Sequence, residues 1–120
     1  MELTKSERQI MDVFWEAGEP LSRSDLLERS EDKSWKDSSV HILLNGLLRK
    51  GVIFEAGFVK RSKTYGRTFL PNLTREEYIV AAAFSHRYQP DPVKLFAALV
   101  SKPELTEEQT QQMLKILSGK

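Results

Sequence analysis

Apolar residues within the segment 36–50 recur three and four positions apart, which predicts a helix that buries one stripe against a core. The stripe consists of Val40, Leu43, Leu44, Leu47 and Leu48. Gly51 is expected to end the helix, because glycine readily adopts the left-handed conformation of a C-terminal cap. The other face of this helix is unlike that of an ordinary solvated helix.

That outer face carries small hydrogen-bonding side chains and an exposed isoleucine. At about 100° per residue, the outward positions are Ser38, Ile42, Asn45 and Arg49, flanked by Ser39, His41 and Gly46. A DNA major groove admits a helix and offers base edges to it, so this face predicts contact with DNA. Gly46 is expected to be exposed, where it costs about 1 kcal/mol relative to Ala. Close approach to the DNA backbone and a tolerated neutral glycine explain it equally well.

A longer helix is predicted near the N-terminus. Thr4 and Glu7 form a capping box that begins it, and Gly18 ends it. Its buried face is expected to contain Ile10, Val13, Phe14 and Ala17. Met11 and Trp15 lie to one side, where they would pack against the hairpin described below or against another chain.

The pattern then changes to period two, which predicts a β-hairpin. Apolar and polar residues alternate loosely over 52–58, and the run 64–70 is rich in residues that favour strands. The tip between the two runs is basic and contains Lys60, Arg61 and Lys63. With a short helix capped by Ser22, the order is helix, helix, helix, strand, strand, which is the layout of a winged helix-turn-helix.

Three short helices are predicted beyond residue 72, over about 75–87, about 93–101 and from a capping box at Thr106 and Gln109. So small a unit buries too little apolar area to offset its chain entropy. It needs a partner, and a second copy of the chain is the simplest one. The residues expected to join two copies are Phe96, Leu99, Val100, Met113, Ile116 and Leu117.

The predicted fold class is therefore mainly α with a small β-hairpin. A winged helix-turn-helix DNA-binding domain is expected over 1–72, and a helical dimerisation domain over 73–120.

Positive charge is concentrated on the segment that contains the unusual helix and the hairpin. The whole chain has a formal net charge of +1. Residues 1–34 have a net charge of −4, residues 35–72 of +5, and residues 73–120 of zero. Such a concentration of positive charge is typical of a surface that binds nucleic acid. The competing explanation is a chance cluster on a solvated loop.

The residues expected to contact DNA are Lys36, Ser38, Ser39, His41, Ile42, Asn45, Arg49, Lys60, Arg61, Lys63 and Arg67. Asn45 can form a bidentate pair with adenine, Ile42 can contact a thymine methyl, and Arg49 can reach a phosphate or a guanine. The hydroxyls of Ser38 and Ser39 lie at the helix start, where free backbone N–H groups suit a phosphate. The prediction of DNA binding rests on the combination of these side chains on one face of the helix.

A catalytic, cofactor-binding or metal-binding constellation is not found, so an enzyme is not expected. His41 and His86 lie far apart in the sequence, and a metal site needs more ligands than they offer. Glycine-rich phosphate loops and nucleophile motifs are absent. The chain has no cysteine, which fits a reducing cytoplasm, and no apolar run of about 18 residues that would cross a membrane.

Motifs along the whole chain resemble those of one family of regulators. They include residues 3–15, Trp35, and Ser39-Val40-x-x-Leu43-Leu44-Asn45-x-Leu47 followed by Arg49-Lys50-Gly51. They continue through residues 65–71 and 74–78, then Leu99-Val100 and residues 105–108. The chain resembles the penicillinase-repressor family of bacteria, and the block 35–51 is the most specific part. This resemblance implies a homodimeric repressor whose winged helix binds a palindromic operator and whose C-terminal helices dimerise.

Three departures from the family pattern bear on function. Ser38, His41 and Gly46 stand where family members often have basic residues, so operator sequence or affinity is expected to differ. The copper-responsive branch ends in a Cys-x-Cys motif, and without cysteine copper sensing is not expected. Another branch is inactivated by cleavage in the helix that residues 93–101 resemble. Ala98-Leu99 replaces the Asn-Phe pair typical there, which leaves a protease partner open.

The preferred interpretation is a cytoplasmic, dimeric transcriptional repressor that controls antibiotic-resistance or stress genes. The main alternative is a winged-helix module that binds protein without sequence-specific DNA binding. The basic hairpin argues against that alternative, and a strong salt dependence of DNA binding would distinguish the two. A small enzyme is a third alternative, but the sequence offers no pairing of a nucleophile with a base.

Overall fold

The computed structural model describes residues 2–61 and 64–119, and the side chains of Arg61, Thr64 and Tyr65 lie outside that description. We label its elements α1 (Lys5–Ala17), β1 (Leu21–Ser22), α2 (Arg23–Arg29), α3 (Val40–Arg49), β2 (Ile53–Arg61), β3 (Thr64–Pro71), α4 (Arg75–Ala83), α5 (Pro92–Val100) and α6 (Glu107–Ser118). Among the described residues, no helix is both long and apolar enough to cross a membrane. The architecture is mainly α with a small antiparallel sheet, which confirms the predicted fold class.

The chain divides into two compact units, Met1–Ser85 and His86–Lys120. The sequence placed the domain limit after residue 72, whereas in the structure α4 groups with the first unit. The reason is that Tyr78 is buried with its ring centroid 5.8 Å from that of Trp15, and Trp15 Nε1–H donates to Leu73 O at 2.9 Å. The limits of the independently folding domains stay a prediction. α4 ends at Ala83, earlier than the expected end near residue 87.

α1 begins and ends where its local signals predict. The Glu7 N–H donates to Thr4 Oγ1 at 3.2 Å, and the Thr4 N–H donates to Glu7 Oε1 at 2.9 Å, which completes the capping box. Gly18 caps the C-terminus with φ of 65°. Met11 was expected to one side of the buried face, but its side chain is fully buried in the core, where α1 packs against α2, α3 and β3.

α2 and α3 form the helix-turn-helix. Ser22 caps α2 in a capping box with Asp25. α3 begins at Val40 rather than at Lys36, because residues 37–39 form a tighter 3-10 turn before it. Trp35 is buried just ahead of that turn.

The sheet contains a third strand that the sequence did not reveal. Its order is β1-β3-β2, and β1 pairs antiparallel to β3 with Leu21 opposite Phe69. β1 has only two residues, too few to show an alternating pattern, so only its partner identifies it as a strand. β2 and β3 form the predicted hairpin, with a bulge between Glu55 and Gly57. Gly57 has φ of 148°, a conformation that residues with side chains rarely adopt.

One hydrophobic core joins α1, α2 and α3 to the sheet. Within the predicted stripe of α3, Val40, Leu44 and Leu47 are buried, and the remaining two leucines pack half-buried at its margin. The core is completed by Ile10, Met11, Phe14, Leu21, Leu26, Trp35, Val52, Ile53 and Phe69. The stripe prediction is confirmed, and it determines which side of α3 faces outward.

Gly46 lies on the buried side of α3, so the expectation that it is exposed was wrong. A Cβ atom at this position would lie 3.0 Å from Glu7 Oε2. Glu7 is buried and accepts a hydrogen bond from Lys50 Nζ at 2.6 Å. The glycine therefore makes room for a buried carboxylate. Sequence spacing could not reveal this, because Glu7 belongs to a different helix.

The Glu7 carboxyl is an ionisable group whose pKa the fold clearly shifts. Burial raises this pKa, but hydrogen bonds from Lys50 and Thr4, together with the Lys50 charge, outweigh burial and hold it below its ordinary value of 4.5. A carboxyl whose pKa is lowered on folding stabilises the native state above its unfolded pKa. That stabilisation is lost as the pH falls through the folded pKa.

In the second unit, none of the described residues of α5 and α6 is buried. Asp91 caps α5, and the predicted capping box of Thr106 and Gln109 begins α6. The two helices expose large apolar side chains at Val93, Leu95, Leu99, Val100, Leu114, Ile116 and Leu117. Of the six residues expected to dimerise, Phe96 and Met113 are half-buried and the other four are exposed.

Replacing Gly46 by alanine is expected to destabilise the parent protein but to stabilise a variant that lacks the Glu7 carboxylate. Helix propensity alone favours alanine by about 1 kcal/mol, but the added methyl group would press on a carboxylate that Lys50 and Thr4 hold in place. Gly46→Ala should lower the free energy of unfolding in the parent and raise it by about 1 kcal/mol in a Glu7→Ala background. Urea unfolding of the four proteins measures this, and the same sign in both backgrounds would contradict the packing argument.

Glu7→Gln keeps the side-chain shape but removes the charge. The free energy of unfolding of Glu7→Gln is expected to lie below that of the parent, and the difference should be largest above pH 4.5. The difference should shrink as the pH falls through the lowered folded pKa of Glu7. Urea unfolding from neutral to acid pH checks this. Glu31→Gln, at an exposed position after α2, serves as the control and should change stability little. If the difference in stability between Glu7→Gln and the parent stays constant down to acid pH, the Glu7 charge does not stabilise the fold.

Candidate nucleic-acid interface

The outward face of α3 is set by the residues buried on its other side. Because Val40, Leu44 and Leu47 are held in the core, Ile42 is turned to solvent with 72% exposure, and Asn45 is exposed beside it. One turn of a rigid helix thus presents an apolar group and an amide together. Both types of group can contact base edges in a major groove.

The other residues predicted on this helix lie on the same surface. Lys36, Ser38, His41 and Arg49 are exposed, and Ser39 is half-buried. Ser39 occupies the N-cap position of α3, yet its side chain makes no capping hydrogen bond. Its hydroxyl group is therefore available to a ligand at the start of the helix.

An acidic residue also lies in the turn before α3. Asp37 forms an ion pair with Lys33, whose Nζ lies 4.7 Å from the centroid of the Trp35 ring. This pairing neutralises a carboxylate that would otherwise oppose a phosphate at the helix start. Sequence analysis did not single out Lys33, because its role depends on the path of the turn between α2 and α3.

Arg23 is a second residue that sequence analysis missed. It is the first residue of α2, and its Nη1 forms a hydrogen bond with Nε2 of His41 on α3. A guanidinium group can only donate, so His41 Nε2 accepts in this contact. The sequence showed only a basic residue after a capping serine, which is common on solvated helices. The structure brings this cation to the edge of the α3 face.

The hairpin, which we call the wing, contributes two described cations. Lys60 is exposed. Arg67 donates to Glu55 at 3.2 Å, and its guanidinium carbon lies 5.3 Å from the centroid of the Phe69 ring. The predicted contacts of the Arg61 side chain and of Lys63 lie outside the described residues. Lys50 belongs to the same basic segment, but its ammonium group is paired with Glu7 and so serves the fold.

The described part of the chain holds no cluster of three or more His, Asp or Glu side chains that could bind a metal ion. Its first unit instead offers a helix face, a flanking arginine and a basic ribbon. These groups can form hydrogen bonds, apolar contacts and ion pairs with a large anionic ligand.

The chain is similar to known proteins along nearly its whole length. The family model described as penicillinase repressor matches residues 3–119. A curated protein of Latilactobacillus sakei, described as an uncharacterized 16.5 kDa protein in the ptsI 3' region, is 29% identical over 126 aligned residues, which cover 99% of this chain and 80% of that protein.

Two solved structures resemble this chain only distantly. Staphylococcus aureus MarR in complex with salicylate and kanamycin has a TM-score of 0.43 and 15% identity, with 98% of this chain and 70% of that chain covered. A MepR mutant from a multidrug-resistant S. aureus clinical isolate has a TM-score of 0.43 and 20% identity, with 96% and 74% covered. At these TM-scores neither structure supports an inference about this chain. The family match, in contrast, spans nearly the whole sequence, and the chain belongs to the penicillinase repressor family.

Proposed function

We propose that this chain is a homodimeric repressor that binds a palindromic operator, with α3 in the major groove and the wing against the neighbouring backbone. Family membership establishes the coarser class, a DNA-binding transcriptional regulator. The finer proposal rests above all on the outward face of α3. Ile42 is 72% exposed there and Asn45 lies beside it, while the opposite side of the same helix is anchored in the core.

Base contacts in this proposal come from the middle of α3. Asn45 pairs with an adenine through its amide, and Ile42 packs against a thymine methyl group. The burial of Leu44 and Leu47 supports these roles, because a helix fixed in the core holds its outward side chains in a defined register. Such preorganisation reduces the entropy lost on binding.

Phosphate contacts in this proposal surround the α3 face. Ser38, Ser39 and Lys36 lie at the start of the helix and Arg49 at its end, while Arg23 of α2 flanks the middle. In helix-turn-helix proteins the first helix crosses the DNA backbone. The position of Arg23 at the N-terminus of α2 supports a phosphate contact for it as well.

Dimerisation in this proposal belongs to the second unit. None of the described residues of α5 and α6 is buried, and their apolar side chains include Ile116, which is 73% exposed. A second copy would cover this surface. Two-fold symmetry would then present two α3 helices to half-sites about 10 base pairs apart, or a multiple of that spacing.

A protein-binding winged helix is the second candidate, and two exposed apolar side chains favour it. Ile42 and Phe58 are 72% and 71% exposed. The net charge of +5 on residues 35–72 weighs against it, because an apolar partner would have to desolvate those cations. Affinity for DNA that falls steeply with added salt would favour the repressor.

Asn45→Ala is expected to abolish discrimination at one base position in each half-site. The lost amide–adenine pair should cost about 1–3 kcal/mol against the preferred duplex, while affinity for random DNA stays the same because phosphate contacts supply it. The duplex is selected from a randomised pool by the parent protein. Gln111→Ala, which removes an exposed amide from α6, is the matched control. An unchanged ratio of selected to random affinity would remove Asn45 from the interface, and a lower melting temperature with loss of binding would assign it to the fold instead.

Ile116→Glu is expected to separate the two copies without unfolding either one, because Ile116 is 73% exposed in the single chain. Sedimentation should show the parent as a dimer and the variant as a monomer at the same concentration. Gln111→Glu adds the same charge at an exposed position on the opposite side of α6 and should remain dimeric. A parent that sediments as a monomer would refute the dimer.

A further inference from the structure

Phe58 is a large apolar side chain that the wing leaves 71% exposed. It lies on β2, opposite Arg67 of β3. β1 pairs with β3 only at Thr68 and Phe69, so from Phe58 onward the described hairpin is a two-stranded ribbon. A ribbon of two strands is marginally stable in water, and an exposed aromatic ring on its edge strand favours association. The ring therefore lies where a bound partner could cover it.

Phe58 lies on the face of the wing that continues the inner face of the sheet. Phe69 marks this inner face, since it is buried in the core. Arg67 shares the face because side chains alternate along a strand. Phe58, directly opposite Arg67, shares it too. Lys60, two residues beyond Phe58, completes a group of one exposed ring and two cations.

The cation opposite Phe58 is held in place. Arg67 Nη1 lies 3.2 Å from Glu55 Oε1, and its guanidinium carbon is 5.3 Å from the centroid of the Phe69 ring. An apolar protein partner that covered Phe58 would also have to desolvate this arginine and the exposed Lys60, at a substantial cost. A polyanion that has apolar sugar surfaces between its phosphates can pack against the ring and form ion pairs with the two cations at the same time.

We propose that Phe58 is an apolar minor-groove contact of the wing, packing its ring against deoxyribose and base edges beside the bases that α3 contacts. The proposal rests on the proposed function. It assigns a role to an uncharged residue, which the charge pattern could not indicate. Proteins that enter the minor groove combine cations with apolar side chains such as phenylalanine.

This contact has a consequence for DNA sequence. The minor groove is about 6 Å wide, and there a G·C pair differs from an A·T pair by the guanine 2-amino group. That group would obstruct a ring seated against the base edges. The wing should therefore favour A·T pairs in the segment that flanks each α3 site.

The wing provides its own matched control. Phe54 is a second phenylalanine of β2, 41% exposed, and it pairs with Leu70 on the opposite face of the sheet. Phe54→Ala removes the same side chain from the same strand without altering the proposed contact. Lys60→Ala provides the electrostatic comparison.

The first test measures affinity for a duplex selected by the parent protein, over a series of salt concentrations. Phe58→Ala should weaken binding about tenfold at every salt concentration, because an apolar contact releases no counterions. Lys60→Ala should instead reduce the slope of log affinity against log salt by about one. Phe58→Leu should lose less than Phe58→Ala, and Phe54→Ala should bind like the parent.

The second test locates the contact in the minor groove. Placing G·C pairs in the flanking segment should weaken binding by the parent, and replacing those guanines by inosine, which lacks the 2-amino group, should restore it. Phe58→Ala should bind the A·T, G·C and inosine duplexes alike. Melting temperatures of all variants are measured alongside, and at 71% exposure the loss of the Phe58 ring should leave the fold stable.

Several outcomes would overturn the proposal. If Phe58→Ala and Phe54→Ala bind the selected duplex equally well, the ring does not contact DNA. A change in sedimentation of Phe58→Ala without DNA would show that a second copy of the chain covers the ring. A flanking preference that inosine does not relieve would exclude the minor groove. If the parent selects no duplex at all, the proposed function and this proposal both fail, whereas failure of Phe58 alone leaves the α3 proposal standing.

Discussion

A buried carboxylate near the start of α1 meets the C-terminal end of α3, and the close packing of the two helices depends on it. Glu7 lies near the start of α1, where it completes the capping box with Thr4 and accepts the Lys50 ammonium at 2.6 Å. A buried charge is tolerated only when it is paired and hydrogen-bonded. The carboxylate also needs space, and Gly46 provides it, since a Cβ atom there would lie 3.0 Å from Glu7 Oε2. Together these contacts link the start of α1 to the C-terminal half of α3, whose outward face is set by its buried apolar stripe.

The cations of residues 35–72 fall into two groups, those paired within the fold and those that extend into solvent. Lys50 is committed to Glu7, and Arg67 is drawn towards Glu55 and the Phe69 ring. Other cations of the described surface, among them Lys36 and Lys60, extend into solvent. Net charge therefore overstates the number of freely extended cations. Arg23 offsets part of this difference from outside the segment, through its contact with His41.

Local signals predicted much of the fold, because they act within one turn of helix or one strand. The capping boxes at Thr4 and Thr106 formed as expected, since each involves groups only three residues apart. The apolar stripe of α3 was buried as expected, because a helix with one apolar side has one favourable orientation against a core. The exposed positions of Ile42 and Asn45 follow from that stripe. The existence of the proposed site could thus be predicted without knowing what packs behind it.

By itself, the sequence determined the helices, the hairpin and the face of α3 that points outward, because periodicity and capping chemistry depend on neighbours along the chain. The tertiary structure alone decided which distant groups meet. It buried Gly46, which the sequence had placed at the surface, and it put Met11 in the core rather than to one side of it, because α1 is enclosed by α2, α3 and β3. It formed β1, whose two residues become a strand only beside β3. It brought Arg23 to His41 and set Phe58 and Arg67 opposite each other. These contacts join residues on different elements, and no spacing rule within one element encodes them.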